Sequence, residues 1–251
     1  MIPLSDNNPT LRAPVVTIAL LVAIGAVWIF FQGAGFDEAA LAASVCNLGL
    51  VAGEITRSAA IGTSVPIGDG MVCVVDADPI NYVTPLTSMF LHGSWAHILS
   101  NGLFLWIFGN NVEDSMGRAR FLSFYLICGL VAAAAQILAD PSSPVPMVGA
   151  SGAISGVMAA YLVLFPKARV NMLFFFLVFI RVVALPAWVV ILYWFGIQLV
   201  TALPVLAGAQ ATVQSNVAVM AHIGGFLAGA LLVKLFEDPE LIALKLRRFP
   251  E

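Results

Sequence analysis

The segment Gly149-Ala150-Ser151-Gly152-Ala153-Ile154-Ser155-Gly156 opens an apolar stretch of the chain, and a second glycine-rich apolar stretch runs from Ala221 to Gly229 with His222 near its start. Polar and ionisable groups are expensive inside a membrane and indicate a functional site there. Small residues around them let two helices approach closely enough for such side chains to meet. We therefore interpret Ser151 and His222 as a pair that meets within a bilayer.

The composition supports a membrane environment, because 61% of the 251 residues are hydrophobic and only 10% are charged. Six apolar runs approach or reach the roughly 20 residues that a helix needs to cross a bilayer. These runs cover residues 14–32, 95–112, 121–139, 149–165, 184–203 and 217–236. We predict an all-α polytopic membrane protein with six transmembrane helices. One membrane domain would occupy residues 14–236, between short polar tails at 1–13 and 237–251.

The basic residues predict the orientation, because short cytoplasmic loops of membrane proteins carry an excess of Lys and Arg. Ten of the eleven fall before the first run, after the sixth or at the even-to-odd connections: Arg12, Arg118, Arg120, Lys167, Arg169, Arg181, Lys234, Lys245, Arg247 and Arg248. Both tails are therefore expected in the cytoplasm. The first run is too long for a signal-peptide core and is interpreted as a retained helix. The net charge of −3 indicates no nucleic-acid partner.

A long loop at residues 33–82 joins the first two runs on the outer side. Its middle, 39–51, is apolar with charged flanks, which is consistent with a segment lying along the membrane interface or with a loop packed on itself. The loop holds Cys46 and Cys73. These two thiols can form a disulfide or stay reduced and unrelated, because bridging depends on a distance that the sequence does not contain.

Other polar residues in or near the runs are expected to be structural. Glu113 and Asp114 follow the second run and resemble part of a solvated inner loop. Gln136 and Gln198 are expected to satisfy each other's helices or a trapped water.

The predicted topology places several polar residues at a similar depth, because runs two, four and six all cross from the outer side inward. Ser151 falls in the first turn of run four and His222 about one and a half turns into run six. His97 and Asn101 lie in the first two turns of run two, four residues apart and thus on one helix face. The pairs Gly152/Gly156 and Gly225/Gly229 predict a close contact between runs four and six.

This set of residues suits nucleophilic catalysis. A serine hydroxyl is a weak nucleophile until a base takes its proton, and imidazole is suited to that near neutral pH. We assign Ser151 as the nucleophile and His222 as the general base, in a dyad because runs two, four and six hold no acidic residue at this depth. The oxyanion would be stabilised by the Ser151 N–H at a helix start, with His97 and Asn101 as further donors.

The motifs resemble those of the rhomboid intramembrane serine proteases. The resemblance rests on Gly149-Ala150-Ser151-Gly152, on Ala221-His222 with Gly225 and Gly229, and on His92 with His97 and Asn101. It covers about residues 82–235 and agrees with the six-helix bacterial-type core with cytoplasmic termini. By this resemblance Ser151 and His222 form the dyad, and His97 and Asn101 lie near the oxyanion. His92 assists, and we expect it to hold water or the loop near the site entrance.

The resemblance also implies what the protein does and where. Its substrates would be single-pass transmembrane proteins, cut within the lipid bilayer near the outer face, without a metal or another cofactor. The location implied is the bacterial inner (plasma) membrane. The oligomeric state does not follow from the sequence.

Two departures from the family pattern concern the support of the site. Many members carry an aromatic-Arg pair about nine residues before the first histidine of the motif, where this chain has Val83-Thr84. The outer loop is therefore expected to be anchored differently. Some members place a tyrosine one turn after the nucleophile to pack beneath the histidine, whereas this chain has Ser155. What orients His222 is left open.

Two other functions and one metal site are compatible with parts of the pattern. A small transporter also uses membrane histidines, but the chain has no clear internal repeat or midplane charge. A non-proteolytic protein that binds membrane helices would be expected to lack Ser151 or His222, and both are present. A zinc site of His92, His97 and His222 is disfavoured by the five-residue spacing of the first two and the lack of a nearby carboxylate.

Overall fold

The computed structural model describes residues 2–68, 71–176, 179–206 and 218–249. Its α-helices are α1 Val15–Phe30, α2 Glu38–Leu48, α3 Ala52–Ile55, α4 Thr84–Thr87, α5 Trp95–Met116, α6 Arg118–Ala139, α7 Ser151–Leu164, α8 Ala187–Leu206, α9 Val219–Phe236 and α10 Pro239–Arg248. Its strands are β1 Ile2–Asp6, β2 Leu50–Val51, β3 Ser64–Gly68, β4 Met71–Val74, β5 Pro146–Met147, β6 Arg169–Phe176 and β7 Phe179–Pro186.

A helix lies in each of the six predicted runs. Three of them, within the described residues, are both long and apolar enough to cross a membrane: Arg118–Ala139, Ala187–Pro204 and Val219–Phe236. The helices α1, α2 and α7 are apolar but shorter. The fold is thus mostly helical, whereas the count of six crossings and the cytoplasmic position of both ends stay predictions. Val217, the predicted start of the sixth run, lies outside the described residues.

The expectation of an all-α chain is wrong in one respect, because the chain also forms β-structure. The strands β1, β6 and β7 form an antiparallel three-stranded sheet, so residues 2–6 of the expected polar tail pair with the segment after α7. In β6, Val170 and Met172 are buried while Arg169 is exposed, the two-residue alternation of a half-buried strand. Ala184, the expected first residue of run five, lies in β7, and α8 begins three residues later.

The helix α7 lies at the centre of the bundle, with every residue from Gly152 to Tyr161 buried. Its glycines face α9, where a Cβ on Gly225 would overlap the Gly152 carbonyl oxygen and a Cβ on Gly229 would overlap the Gly156 backbone. The predicted close contact between runs four and six is therefore present. From α6, the small side chains of Cys128 and Ala132 pack against the same glycines of α7. Three helices thus meet at nearly backbone distance and hold the outer end of α7 in place.

The inner end of α5 departs from expectation, because Glu113 and Asp114 are buried and not part of a solvated loop. The Glu113 carboxylate accepts hydrogen bonds of 2.9 Å from Val16 N–H and 2.8 Å from Thr17 N–H. These N–H groups begin α1 and have no partner within their own helix, so a buried carboxylate can serve as their cap. Asp114 forms an ion pair of 3.4 Å with Arg12, which precedes the same helix.

The outer loop folds on itself through a disulfide between Cys46 on α2 and Cys73 on β4, which confirms the first of the two expected states of these thiols. At the end of α1, the Gln32 side chain reaches α2 with a hydrogen bond of 3.2 Å to Ser44 Oγ. The same side chain contacts the backbone of His92 in the segment that leads into α5, and this connects the loop to that segment.

Candidate active site

Ser151 and His222 meet at the N-terminal ends of two helices. Ser151 is the first residue of α7 and His222 lies in the first turn of α9. The Ser151 Oγ lies 2.7 Å from His222 Nε2, a normal distance for a hydrogen bond between a hydroxyl and an imidazole nitrogen. This contact depends on the glycine pairs of α7 and α9, because larger residues there would move the two helix ends apart.

The other ring nitrogen of His222 contacts a residue that the sequence patterns did not single out as functional. Gln198 on α8 places Oε1 2.8 Å from His222 Nδ1. The expectation that Gln136 and Gln198 satisfy each other's helices is therefore wrong for Gln198, which contacts His222 and the Trp194 carbonyl of its own helix. Because a carbonyl oxygen only accepts hydrogen bonds, this contact requires a proton on Nδ1. Nε2 is then left with a free lone pair that faces the Ser151 hydroxyl.

An aromatic side chain of α8 completes the surroundings of His222. The Trp194 ring lies 5.7 Å from the His222 ring, centre to centre. Trp194 and Gln198 are four residues apart, so they project from the same face of α8. Ser155 does not support His222, since its hydroxyl donates to the carbonyl of Ser151 in its own helix, at 2.6 Å. In this chain α8 therefore takes the supporting position that a tyrosine of α7 would take.

The proposed oxyanion donors His97 and Asn101 lie against the turn that precedes Ser151. Gly149 in that turn has a φ of +125°, which an L-residue with a side chain rarely adopts. A Cβ on Gly149 would lie 2.6 Å from His97 Nε2 and 3.6 Å from Asn101 Nδ2. Both side chains thus border the space above the Ser151 N–H, where α7 begins and its first backbone N–H groups have no partner within the helix.

His92 lies behind Asn101 and not at the site entrance as expected, since it is fully buried. Its Nε2 lies 2.9 Å from Asn101 Nδ2. Burial, with the nearby His97 imidazole, lowers the pKa of His92 to about 3, so the ring is neutral and Nε2 can accept a hydrogen from the amide. An amide NH₂ carries two hydrogens, so Asn101 keeps one to donate into the site.

The segment around His92 is held by Gln32 from the end of α1. Gln32 Oε1 accepts a hydrogen bond of 2.8 Å from His92 N–H, and Gln32 Nε2 donates one of 2.8 Å to the His92 carbonyl. Val83-Thr84 stands where an aromatic-Arg pair would anchor the loop, and Gln32 supplies an anchor from another helix. No local pattern pointed to Gln32, because a glutamine at a helix end is common.

Within the described residues, no group of three or more His, Cys, Asp or Glu side chains is arranged to hold a metal ion. The three histidines fall into two groups by their contacts. His222 contacts Ser151 and Gln198, while His92 and His97 contact each other at 4.9 Å between ring centres.

Comparison with known proteins indicates the family of this chain. The family model of the rhomboid domain matches residues 81–237, which is more than half of the chain. The chain belongs to the rhomboid family. It is accordingly an integral, multi-pass membrane protein of a family that includes serine intramembrane proteases acting on transmembrane substrates in the bilayer.

Three rhomboid relatives illustrate the range of the family. Rhomboid protease GluP of Bacillus subtilis (strain 168) is 43% identical over 77 residues, which is 31% of this chain and 15% of that protein. Putative rhomboid protease YdcA of the same organism is 28% identical over 149 residues, 59% of this chain and 63% of its own length. Rhomboid-like protein 11, chloroplastic, of Arabidopsis thaliana is 40% identical over 74 residues, 30% of this chain and 26% of its own. The chain thus matches less than two thirds of each relative.

Proposed function

We propose that this rhomboid-family chain is an intramembrane serine endopeptidase that cleaves single-pass transmembrane proteins near the outer membrane face. The observation that carries the proposal is the 2.7 Å contact between Ser151 Oγ and His222 Nε2 at the outer ends of α7 and α9. A serine hydroxyl bonded to a neutral imidazole nitrogen is the arrangement that nucleophilic attack requires.

The reaction uses the residues as follows. Ser151 Oγ attacks the carbonyl carbon of the scissile peptide bond while His222 Nε2 takes the hydroxyl proton. The charge that forms on the carbonyl oxygen is stabilised by the Ser151 N–H and by donors from Asn101 and His97. His222 then gives its proton to the leaving nitrogen, which breaks the peptide bond and leaves an acyl-Ser151. Water, deprotonated by His222, hydrolyses this ester and restores the hydroxyl.

The position of the site supports cleavage near the outer face. Ser151 and His222 lie in the first turns of their helices, on the same end of the molecule as the disulfide-bonded loop. Disulfides persist in oxidising compartments such as the bacterial periplasm, which favours the outer side for this end. We propose accordingly that both chain ends lie in the cytoplasm and that the membrane is a bacterial inner membrane.

The test is cleavage of a single-pass reporter by the purified protein in liposomes. We expect the native chain to cut, and Ser151→Ala and His222→Ala each to lose at least about 1,000-fold in rate. Ser155→Ala is the matched control, because Ser155 lies one turn away on α7 and bonds only to its own helix carbonyl. It should cut at close to the native rate.

Two outcomes would contradict the proposal. Cleavage by folded Ser151→Ala would point to another nucleophile or to a contaminating protease. Failure of the native chain to cut across a panel of reporters, together with capture of those reporters, would favour the non-proteolytic role that some family members have.

A further inference from the structure

The side chain of Gln198 connects the proposed general base to a helix that carries neither member of the dyad. Gln198 lies 12 residues into α8, and its amide and the His222 imidazole are both buried, each 9% exposed. A buried polar group without a partner costs free energy, so each of the two restricts how the other can be placed.

The orientation of the amide follows from its second contact. Gln198 Nε2 lies 3.5 Å from the backbone carbonyl of Trp194, which can only accept a hydrogen bond. The NH₂ end of the amide therefore belongs on that side, and Oε1 belongs on the side of His222. The reverse orientation would bring two hydrogen-bond acceptors together at the Trp194 carbonyl.

The contact with Gln198 Oε1 determines which nitrogen of the His222 imidazole carries the proton. Neutral histidine exists as two tautomers, and only the form with hydrogen on Nδ1 leaves Nε2 able to accept the Ser151 proton. A third group that accepts from Nδ1–H selects this form, and in many serine hydrolases that group is a carboxylate. No Asp or Glu of the described residues is hydrogen-bonded to His222; the acceptor is an uncharged amide.

We propose that Gln198 is the positioning residue of this active site, which holds His222 in the Nδ1-protonated tautomer with Nε2 aimed at Ser151. The proposal rests on the proposed protease function for its catalytic meaning, but the tautomer itself does not depend on cleavage. Trp194, one turn earlier on the same face, limits rotation of the ring by contact. The third member of the site therefore comes from α8, and it is uncharged, as suits a group at membrane depth.

The first arm of the test measures kinetics with three variants. Gln198→Met keeps the length and volume of the side chain but has no acceptor, and Gln198→Glu keeps the acceptor. Gln136→Met is the matched control, since it makes the same change on α6, and in the native chain Gln136 Oε1 has no hydrogen-bond partner within the described residues. We expect Gln198→Met to lower kcat about 10- to 100-fold with little change in KM. Gln198→Glu should retain more of kcat than Gln198→Met, and Gln136→Met should match the native chain.

The second arm measures the tautomer directly by ¹⁵N NMR of histidine-labelled protein. The His222 signals are identified by their absence in His222→Ala. The native chain should show a protonated Nδ1 and an unprotonated Nε2, and Gln198→Met should show a mixture of both forms. If the native chain cuts no reporter but shows this tautomer shift, the protease function fails while the role of Gln198 stands. Native kcat in Gln198→Met, or a tautomer that does not change, overturns the proposal.

Discussion

Gly149 shows how one backbone position governs the geometry of the candidate site. Its N–H donates to the carbonyl of Ser88 at 2.8 Å, which ties the turn before Ser151 to the loop before α5. Its φ is +125°, and the His97 ring fills the space that a Cβ on this residue would need. Glycine is required here for two separate reasons, the backbone conformation and the lack of space for a Cβ.

Gly149→Ala is therefore expected to impair cleavage more than folding. The new Cβ would lie 2.6 Å from His97 Nε2, so the imidazole or the turn has to move away from the oxyanion position. We expect kcat to fall by at least about 10-fold and the free energy of unfolding to fall by about 1–3 kcal/mol. The measurements are reporter cleavage and unfolding in mixed micelles.

The control for this change is Gly93→Ala, because a Cβ on Gly93 meets nothing within 4 Å. Gly93 lies between His92 and α5, in the segment to which the Gly149 turn is tied through Ser88, so it tests for general sensitivity of this region. Native kcat in Gly149→Ala would show that His97 and the turn do not shape the oxyanion site.

At the scale of elements, α6, α7 and α9 form a rigid group and α8 stands at its edge. The first three contact each other through glycine, alanine and cysteine, which lets their backbones approach. The α8 residues Tyr193, Val200 and Leu203 are exposed and suit contact with lipid. Ser151 and His222 therefore lie on the rigid group, whereas the partner of His222 Nδ1 lies on the peripheral helix.

The rigid group predicts a strong response to added volume between α7 and α9. In Gly225→Ala the new methyl group would overlap the Gly152 carbonyl oxygen. We expect the free energy of unfolding to fall by about 1–3 kcal/mol. Gly196→Ala on α8 is the matched change, since its Cβ meets nothing within 4 Å. It should be neutral or stabilising, by up to about 1 kcal/mol, through helix propensity. Equal stability of the two variants would refute the close packing of α7 on α9.

At the scale of the whole molecule, the inner end is closed by a polar network that joins both ends of the chain. Lys245 on α10 is buried and donates through Nζ to Asn111 Oδ1, with Asp114 Oδ2 at 3.9 Å. Asn111 also donates to Asp6 Oδ2 of β1 at 2.9 Å. The two segments expected as free tails are thus both docked on the inner end of α5, one as a strand and the other as a helix.

This network predicts an alkaline pH dependence of stability. Burial lowers the pKa of Lys245 to about 8 against the attraction of Asp114 and Asp6. Between about pH 8 and 10, the unfolded state binds more protons at this lysine than the folded state, so its contribution to stability rises with pH. Relative to Lys245→Met, the native chain should gain on the order of 2 kcal/mol across this window. The same measurement on Lys234→Met, at an exposed lysine, controls for the loss of a lysine as such. A difference between Lys245→Met and the native chain that stays flat over this pH range would contradict the shift.

The proposed topology predicts opposite accessibility of the two ends of the molecule. In a Cys128→Ser background with the Cys46–Cys73 disulfide intact, Tyr82→Cys reports on the outer loop and Leu246→Cys reports on α10. Both native side chains are exposed. A membrane-impermeant maleimide should label only Tyr82→Cys in intact spheroplasts and both variants after lysis. Labelling of Leu246→Cys before lysis would place the chain ends outside and reverse the orientation.

The sequence alone determined the membrane environment, the six helical segments and the residues of the candidate dyad. These follow from properties that are local in the chain: apolar runs of sufficient length, glycines spaced one turn apart, and rare polar residues among them. The motifs at Ser151 and His222 also sufficed to indicate the rhomboid family, which the match over residues 81–237 confirmed.

Only the tertiary structure decided which polar groups support that site. Gln198 and Gln32 occupy unremarkable sequence positions, and their partners lie 24 and 60 residues away in the chain. Glu113 and Asp114 are likewise expected from the sequence to be solvated, yet Glu113 caps α1 and Asp114 accepts from the Leu11 and Arg12 N–H groups before that helix. The physical reason is the same for these four residues. An amide or carboxylate has no preferred partner by type, so its role depends on which donors and acceptors the packing of helices brings within about 3 Å.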